Sequence, residues 1–429
     1  MRMKIGIRTL AAASALAAAL SLGCEPKPQP IAAAPRARIA FHHYFSGTLS
    51  GGIDEMVKTF NQSQSDYELT ATALDHESYK TSILDSLRKG PVPELYSYWA
   101  GARTQAILDR LAPIDDAWID EGFDKAFPSI IAESAAEYGG KKYLLPITQH
   151  YVAFFYNKAI FERLGLAEPV DWPSFLAACE KIKRAGIIPI ALGAKSKWPA
   201  QFWFDYLLLR TAGHDYRQRL VTGEASFTDP EVGRSFLIWK QLIDAGYFNQ
   251  EPISREWDVD AAAMVRTGEA AMTLMGTWIM GVWGGASDAW KPGRDYDAFP
   301  FPSIDAETPV AALGPIDGIV VPAACEDPVG AMKALAFFAS VPSQVAMSVG
   351  SGAFAPRLGV PERIYNPVQL KLAASIAASA SWDYNFDLVF EPFEAEAGLE
   401  ALAEFLRFPE LYETVLRDLA GRIAVLRSR

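Results

Sequence analysis

Eleven tryptophans, five histidines and three cysteines carry most of the chemical potential of this 429-residue chain. Indole faces can cover the apolar side of a ligand, imidazoles can hold metals or move protons, and thiols can be modified or paired. His42-His43-Tyr44-Phe45-Ser46-Gly47 sets two imidazoles side by side. Neighbours on a strand point to opposite faces, so this pair does not chelate one ion. The other histidines lack partners at metal-ligand spacing, and no metal site is expected. There is no Gly-x-Ser-x-Gly elbow, no P-loop and no Gly-x-Gly-x-x-Gly after a strand. The 51 acidic residues leave a glycosidase-type carboxylate pair open on residue types alone. A disulfide between Cys179 and Cys325 is compatible with an oxidising compartment. Cys179 lies on an apolar helical stripe, however, and reads better as a packed thiol.

The elements that must position such residues alternate between strand and helix. Ile39 to Tyr44 reads as a first strand, and Gly51 to Gln64 as a helix with Ile53, Met56, Val57 and Phe60 on one face. Tyr67 to Leu74 alternates like a strand, and Tyr79 to Arg88 is a helix stopped at Gly90-Pro91. Asp171 is a plausible N-cap, with Pro173 in the first turn, Phe175, Leu176, Cys179 and Ile182 inward, and Gly186 at the end. A second punctuated helix starts at Asp229-Pro230 and ends at Ala245-Gly246, with Val232, Phe236, Trp239 and Ile243 buried. Ala270 to Met275 and Ile316 to Val321 read as buried strands. Ala331 to Phe338, Pro367 to Ser379 and Pro409 to Leu426 read as helices. The alternation predicts an α/β fold with a parallel sheet covered by helices.

Half the residues are hydrophobic and 21% are charged, ample for sizeable cores and unlike a disordered chain. Net charge is −11. Without residues 1–23, which hold Arg2, Lys4 and Arg8, 37 basic residues face 51 acidic ones, giving −14. That balance argues against nucleic acid and against peripheral binding to anionic lipid.

Lys4 and Arg8 precede a short apolar run that ends in Ser21-Leu22-Gly23-Cys24, the pattern of an export signal. The Cys after Ser-Leu-Gly resembles the lipobox of bacterial lipoproteins. The resemblance implies a signal peptide over 1–23, a lipidated Cys24 and anchoring to a bacterial membrane, with a periplasmic or cell-surface body. The Pro-rich stretch 24–38 reads as a tether. Glu25 after the lipid-bearing Cys is compatible with the outer membrane. A permease partner would favour the inner membrane or a single-membrane host.

From residue 39 onward the chain resembles the solute-binding proteins of ABC importers, in particular the carbohydrate-binding family that includes maltose-binding proteins. Pro93-Glu94-Leu95-Tyr96-Ser97-Tyr98-Trp99 matches its P-D-hydrophobic-x-x-W strand, and Leu111 to Asp116 its L-x-P-L-D-D turn. Gly140 to Pro146 followed by Phe155-Tyr156-Asn157-Lys158 matches G-K-x-Y-G-L-P and h-Y-Y-N-K. Pro169 to Phe175 matches P-P-x-T-W-x-E-h, with Asp171 in place of Thr. Gly268 to Met272 followed by Gly276-Thr277-Trp278 matches G-x-A-A-M and G-x-W. The order and spacing of these pieces carry the resemblance.

It implies an α/β two-lobed periplasmic-binding-protein fold of type II, with ligand between lobes joined by a three-segment hinge. Lobe 1 would comprise 39–148 plus 317–354, and lobe 2 would comprise 149–316 plus 355–429. Crossings would lie near Thr148–Tyr151, Gly314–Asp317 and Gly352–Pro356. A sugar offers apolar C–H faces and hydroxyl edges, so its site needs aromatic rings and planar polar groups. Family position puts Trp99, Trp278, Trp198 and Trp382 at the cleft, with Arg103 as a polar partner. Tyr44 to Gly47 would form a cleft loop, and His150 and Asp317 sit at crossings with either a ligand or a hinge role. Trp172 and Trp239 read as packing residues, while Trp118, Trp203, Trp257, Trp283 and Trp290 have core or surface as their default. The expected protein is a monomeric receptor that binds a carbohydrate and delivers it to permease subunits, with no catalytic residues and no cofactor. The alternatives are a polyamine or glycerophosphodiester ligand, a sugar sensor without transport, or an extracytoplasmic glycosidase.

Overall fold

The computed structural model describes residues 36–284 and 290–428. Cys24 and the leader lie outside the described residues. Two hydrophobic cores form. One is drawn from residues between Ile39 and Ile147 and between Ile316 and Met347, the other from residues between Tyr151 and Leu313 and between Phe354 and Ile423. Leu388 is the exception, since it sits in the C-terminal stretch yet packs in the first core.

The first core surrounds a six-stranded sheet. Strand Ala37–His43 lies between Tyr67–Ala73 and Leu95–Trp99, parallel to both. Ile39, Phe41 and His43 are buried and alternate with more exposed neighbours, the period of two that a strand imposes. Ala37 and Arg38, expected in the tether, already pair with Tyr67 and Glu68. The ladder extends that far because the Ala37 N–H donates to the Asp66 carbonyl at 3.0 Å. Ile316–Pro322 enters the sheet antiparallel, against both Leu95–Trp99 and Leu144–Gln149.

The second core surrounds a four-stranded sheet in the order Tyr296–Phe299, Val152–Asn157, Ala270–Gly276, Ile188–Ala191. Val152–Asn157 runs antiparallel to both its neighbours. The sheets are therefore mixed, where a parallel sheet was expected. The physical reason is that Val152–Asn157 and Ile316–Pro322 arrive straight from the other core, with no helical crossover to restore the parallel direction.

The best-punctuated helix forms as its sequence predicts. Asp171 accepts the Ser174 N–H at 2.9 Å in a capping box, and Trp172–Arg184 buries Phe175, Cys179 and Ile182. Pro230–Asp244 buries Val232, Phe236, Trp239 and Leu242, while Ile243 is only half-buried. Cys179 and Cys325 are both free thiols, the first buried in the second core and the second against the first core. Trp118, Trp203, Trp239 and Trp283 are core residues, and Trp290 packs on Trp283 at 5.0 Å.

The chain passes between the cores three times, and the three passages lie side by side. Gln149 and Phe354 exchange backbone hydrogen bonds of 2.9 and 2.8 Å, and the His150 N–H donates to the Pro315 carbonyl at 3.0 Å. Gly314 makes this approach possible, because a Cβ there would stand 1.8 Å from the His150 carbonyl oxygen.

Candidate ligand-binding site

A cavity of about 790 Å³ opens between the two cores. That volume falls in the range of roughly 300–1,000 Å³ typical of small-molecule sites. Its lining comes from three sources. The first core supplies Tyr44 to Leu49, Asp75 to Glu77, Lys80 and Trp99; the second supplies Trp198, Gln201, Glu256 to Val259, Trp278 and Asn385; the passages supply His150, Pro315 and Asp317.

The floor is a buried polar network. Asp317 accepts from the Tyr44 hydroxyl at 2.7 Å and the Thr148 hydroxyl at 2.6 Å. Burial raises the Asp317 carboxyl above its usual range, and the two hydroxyl donors work against that rise. Burial and the Asp317 charge hold the Tyr44 phenol well above its normal value, so it remains a donor. His150 lies beside this group, its Nε2 3.8 Å from Asp317 and its Nδ1 2.9 Å from the Thr277 hydroxyl. Burial pushes its pKa down to about 3, so the ring is neutral and the contact with Asp317 is no ion pair. The Tyr151 N–H donates to the Thr277 oxygen.

The second core's wall is aromatic. Trp198 meets Trp257 at 5.7 Å and Trp278 at 5.9 Å, both steeply inclined, and Trp278 meets His150 edge-on at 5.2 Å. His76 comes across from the first core to 6.1 Å from Trp198. Gly276 explains the spacing of Gly-x-Trp: a Cβ there would fall 2.0 Å from the Trp278 ring, which lies folded over the glycine.

Six carboxylates line the cavity, those of Asp75, Glu77, Glu256, Asp258, Asp317 and Asp387. Among the described residues Lys80 is the single Lys or Arg on the lining. Each carboxylate already has a protein partner. Asp75 caps the Ser78 N–H, Glu77 pairs with Lys80, Glu256 with Lys195, and Asp258 accepts from the Val259 N–H. Asp317 has its two hydroxyls, and Asp387 pairs with Arg103 at 3.5 Å.

Of the residues expected from sequence, the cavity brings together Tyr44, Trp99, His150, Trp198, Trp278 and Asp317. Trp99 arrives with one face already covered, because the Tyr44 ring stacks on it at 4.2 Å and 8°. It is 6% exposed, close to the 8% of Trp198, so both rings show the cavity only a small part of their surface. Two expectations need correction. Trp382 is not on the lining; its strand Ser381–Asp383 pairs with Ala311–Leu313, and the indole packs against the second core. Asp383, next along that strand, reaches Arg217 at 3.1 Å instead. Arg103 is not on the lining either, because its guanidinium is turned to the Asp387 carbonyl and carboxylate. It acts on the cavity wall through Asp387. Sequence reasoning missed Trp257, His76, Gln201, Asn385 and Asp387. Trp257 begins a π-helical turn, Trp257–Ala261, which leaves no regular period to read.

The sequence matches the family described as bacterial extracellular solute-binding protein over residues 46–345, more than two thirds of the chain. The chain belongs to that family. An ABC transporter extracellular-binding protein of Pyrococcus horikoshii is 29% identical over 349 residues, covering 79% of this chain and 76% of that protein. A probable sugar-binding periplasmic protein of Mesorhizobium japonicum is 31% identical over 188 residues, 43% of each. Among solved structures, the bacterial solute receptor AcbH superposes with a TM-score of 0.85 at 27% identity, over 91% of this chain and all of that one. AcbH is described as having an exclusive preference for β-D-galactopyranose. A chitin oligosaccharide binding protein shares the fold, with a TM-score of 0.80 at 19% identity over 91% of this chain and 99% of that one. These relatives are solute-binding proteins, and the two-lobed fold is common to the structures.

Proposed function

We propose that this protein is the extracytoplasmic receptor of an ABC importer for an uncharged carbohydrate, held at a bacterial membrane through a lipidated Cys24. The observation that carries the reading is the wall of Trp198, Trp257 and Trp278 set against hydroxyl-binding groups in one cavity. Indole faces suit the C–H face of a pyranose, and the polar floor suits its hydroxyls. The charge pattern narrows the ligand further. A phosphate would find, among the described lining residues, no Lys or Arg but Lys80, which is paired with Glu77. Three of the six carboxylates, Glu77, Glu256 and Asp387, are already paired with cations, which lowers the charge left to attract a polyamine. A neutral sugar asks for neither.

In this reading the two cores are the lobes, the three passages are the hinge, and ligand favours the closed form through contacts made from both sides. The receptor binds and releases without turnover, works as a monomer and hands its solute to permease subunits. The sugar-binding and galactose-binding descriptions of its relatives support the ligand class.

The test is calorimetric titration of the purified protein with D-galactose, D-glucose, D-xylose and their disaccharides, alongside spermidine and glycerophosphocholine. Saturable binding of one sugar is expected. Binding of spermidine or the phosphodiester alone would replace the carbohydrate reading. Release of product from nitrophenyl glycosides would replace the receptor reading with an enzyme. Mass spectrometry of the mature N-terminus checks the anchor, with a diacylglyceryl adduct expected on Cys24 and lost in Cys24→Ser.

A further inference from the structure

The cavity holds one buried side chain with nothing to do. Asn385 is 5% exposed and lines the cavity, and its Oδ1 has no hydrogen-bond partner. Among the described residues it is the sole such orphaned atom on the lining. Buried polar groups in native proteins are nearly always paired, so an unpaired one calls for an explanation.

Its position sharpens the anomaly. Asn385 stands at the N-cap of the short helix Phe386–Val389, where Asn ordinarily accepts an N–H from the first turn. Here the side chain makes no cap. The donors it would have capped are served by others. The Asp387 N–H goes to the Gln201 carbonyl oxygen at 2.8 Å and the Leu388 N–H to the main-chain carbonyl of Asn385 at 2.9 Å, while the Phe386 N–H before them goes to Asp205 at 2.9 Å. Upstream, Arg217 holds the Tyr384 carbonyl at 2.7 Å and Asp383 at 3.1 Å. Buried side chains thus pin the backbone on both sides of Asn385 and leave its Oδ1 without a partner.

We infer that Asn385 is a specificity-determining residue whose amide reads a pair of adjacent hydroxyls on the bound sugar. The inference rests on the carbohydrate reading above. A carboxamide presents one acceptor and two donors in a plane, so one hydroxyl donates to its oxygen while the neighbour accepts from its nitrogen. This match holds whichever way the amide is turned. A site built around such a group rejects ligands that lack the hydroxyl pair, because the amide is then left buried and unpaired.

The test uses the full chain with Asn385→Leu and Asn385→Asp. Calorimetry with D-galactose, D-glucose and D-xylose gives the affinity, and ligand-free thermal unfolding reports any structural role. For the sugar that the wild type binds, Asn385→Leu is expected to weaken Kd by about ten- to a hundredfold, the loss of two neutral hydrogen bonds. Asn385→Asp, which keeps an acceptor, should fall between. Ligand-free Tm in Asn385→Leu should hold or rise, because an unpaired buried polar group has been removed. An unchanged Kd in Asn385→Leu overturns the inference and leaves the receptor reading intact. A ligand-free Tm that falls in step with affinity also overturns it, since the residue is then structural. If the wild type binds neither these sugars nor their disaccharides, the carbohydrate reading fails and this inference fails with it.

Discussion

Gly276→Ala changes a single methyl group, yet it should act on a tryptophan two residues away. The Cβ would stand 2.0, 2.2 and 2.4 Å from three atoms of the Trp278 ring. Ordinary contact begins near 3.4 Å, so the ring must withdraw by about 1.4 Å at its nearest atom. It has little room to do so, with His150 at 5.2 Å, Trp198 at 5.9 Å and Phe202 at 6.0 Å between centroids. Overpacking of this kind costs about 1–3 kcal/mol of stability. A displaced indole no longer presents its face to the cavity, and loss of a stacking aromatic weakens binding by about 2 kcal/mol, roughly thirtyfold. The decisive assay is a double-mutant cycle read by urea unfolding and by calorimetry with the bound sugar. Trp278→Ala removes the ring, and the alanine at 276 then has nothing to strike. Gly276→Ala should therefore cost far less in the Trp278→Ala background, with a coupling of about 1–3 kcal/mol. Equal costs in both backgrounds would refute the idea that Gly276 exists to seat Trp278.

Three further outcomes follow from the same geometry. Trp257→Ala should weaken sugar binding about tenfold with little change in ligand-free stability, because the ring is half-exposed on the cavity wall; an unchanged Kd would remove Trp257 from the site. Burial depresses His150 to about 3 and His43 to about 4, so both stay neutral when folded and take up protons on unfolding below about 6.5. The unfolded chain then binds more protons as pH falls, and stability drops from about pH 6.5 downward by up to about 1.4 kcal/mol per unit for each histidine. His150→Asn should flatten that slope between pH 6.5 and 4.5, and an identical slope in thermal unfolding would contradict the assignment. Arg217 bridges Asp205 at 2.7 Å and Asp383 at 3.1 Å, with all three side chains buried. Arg217→Met should cost about 3–5 kcal/mol in urea unfolding by stranding two carboxylates; an unmoved midpoint would show that they neutralise without it.

The parts of the molecule that were legible in sequence are those governed by local rules. Asp171, Pro173 and Gly186 fix a helix from residues within one turn of its ends, and the inward stripe of Phe175, Cys179 and Ile182 follows from its period. The strand direction of Ile316–Pro322 was not legible, because it is set by where the chain has come from. On the cavity lining, the place of Trp278 was legible because its Gly-x-Trp spacing has a steric basis that sequence records. Trp382 went astray because a family position does not say which face of a two-sided strand is taken, and Asp383 competes for it. Arg103 was located, but its partner Asp387 lies 284 residues away, and no periodicity connects them. Asn385 carries every local sign of a helix cap. Only the tertiary competition of Gln201 for the Asp387 N–H, with the Leu388 N–H turned to the main-chain carbonyl of Asn385, leaves the side chain uncapped beside the cavity.

The placement of the three passages has a mechanical consequence. His150, Pro315 and Asp317 belong both to those passages and to the cavity floor. A rigid rotation moves each atom in proportion to its distance from the axis, so the floor travels hardly at all. Val259, 67% exposed, and Glu77 are solvent-exposed residues of the lining that belong to none of the passages. Under the proposed receptor reading the molecule would act as a pair of tongs whose pivot is itself shaped to the object, and an arriving solute would meet Tyr44, Asp317 and His150 in their final arrangement before the jaws move. On that reading, groups at the pivot would decide what is admitted, and groups at the tips how long it is held.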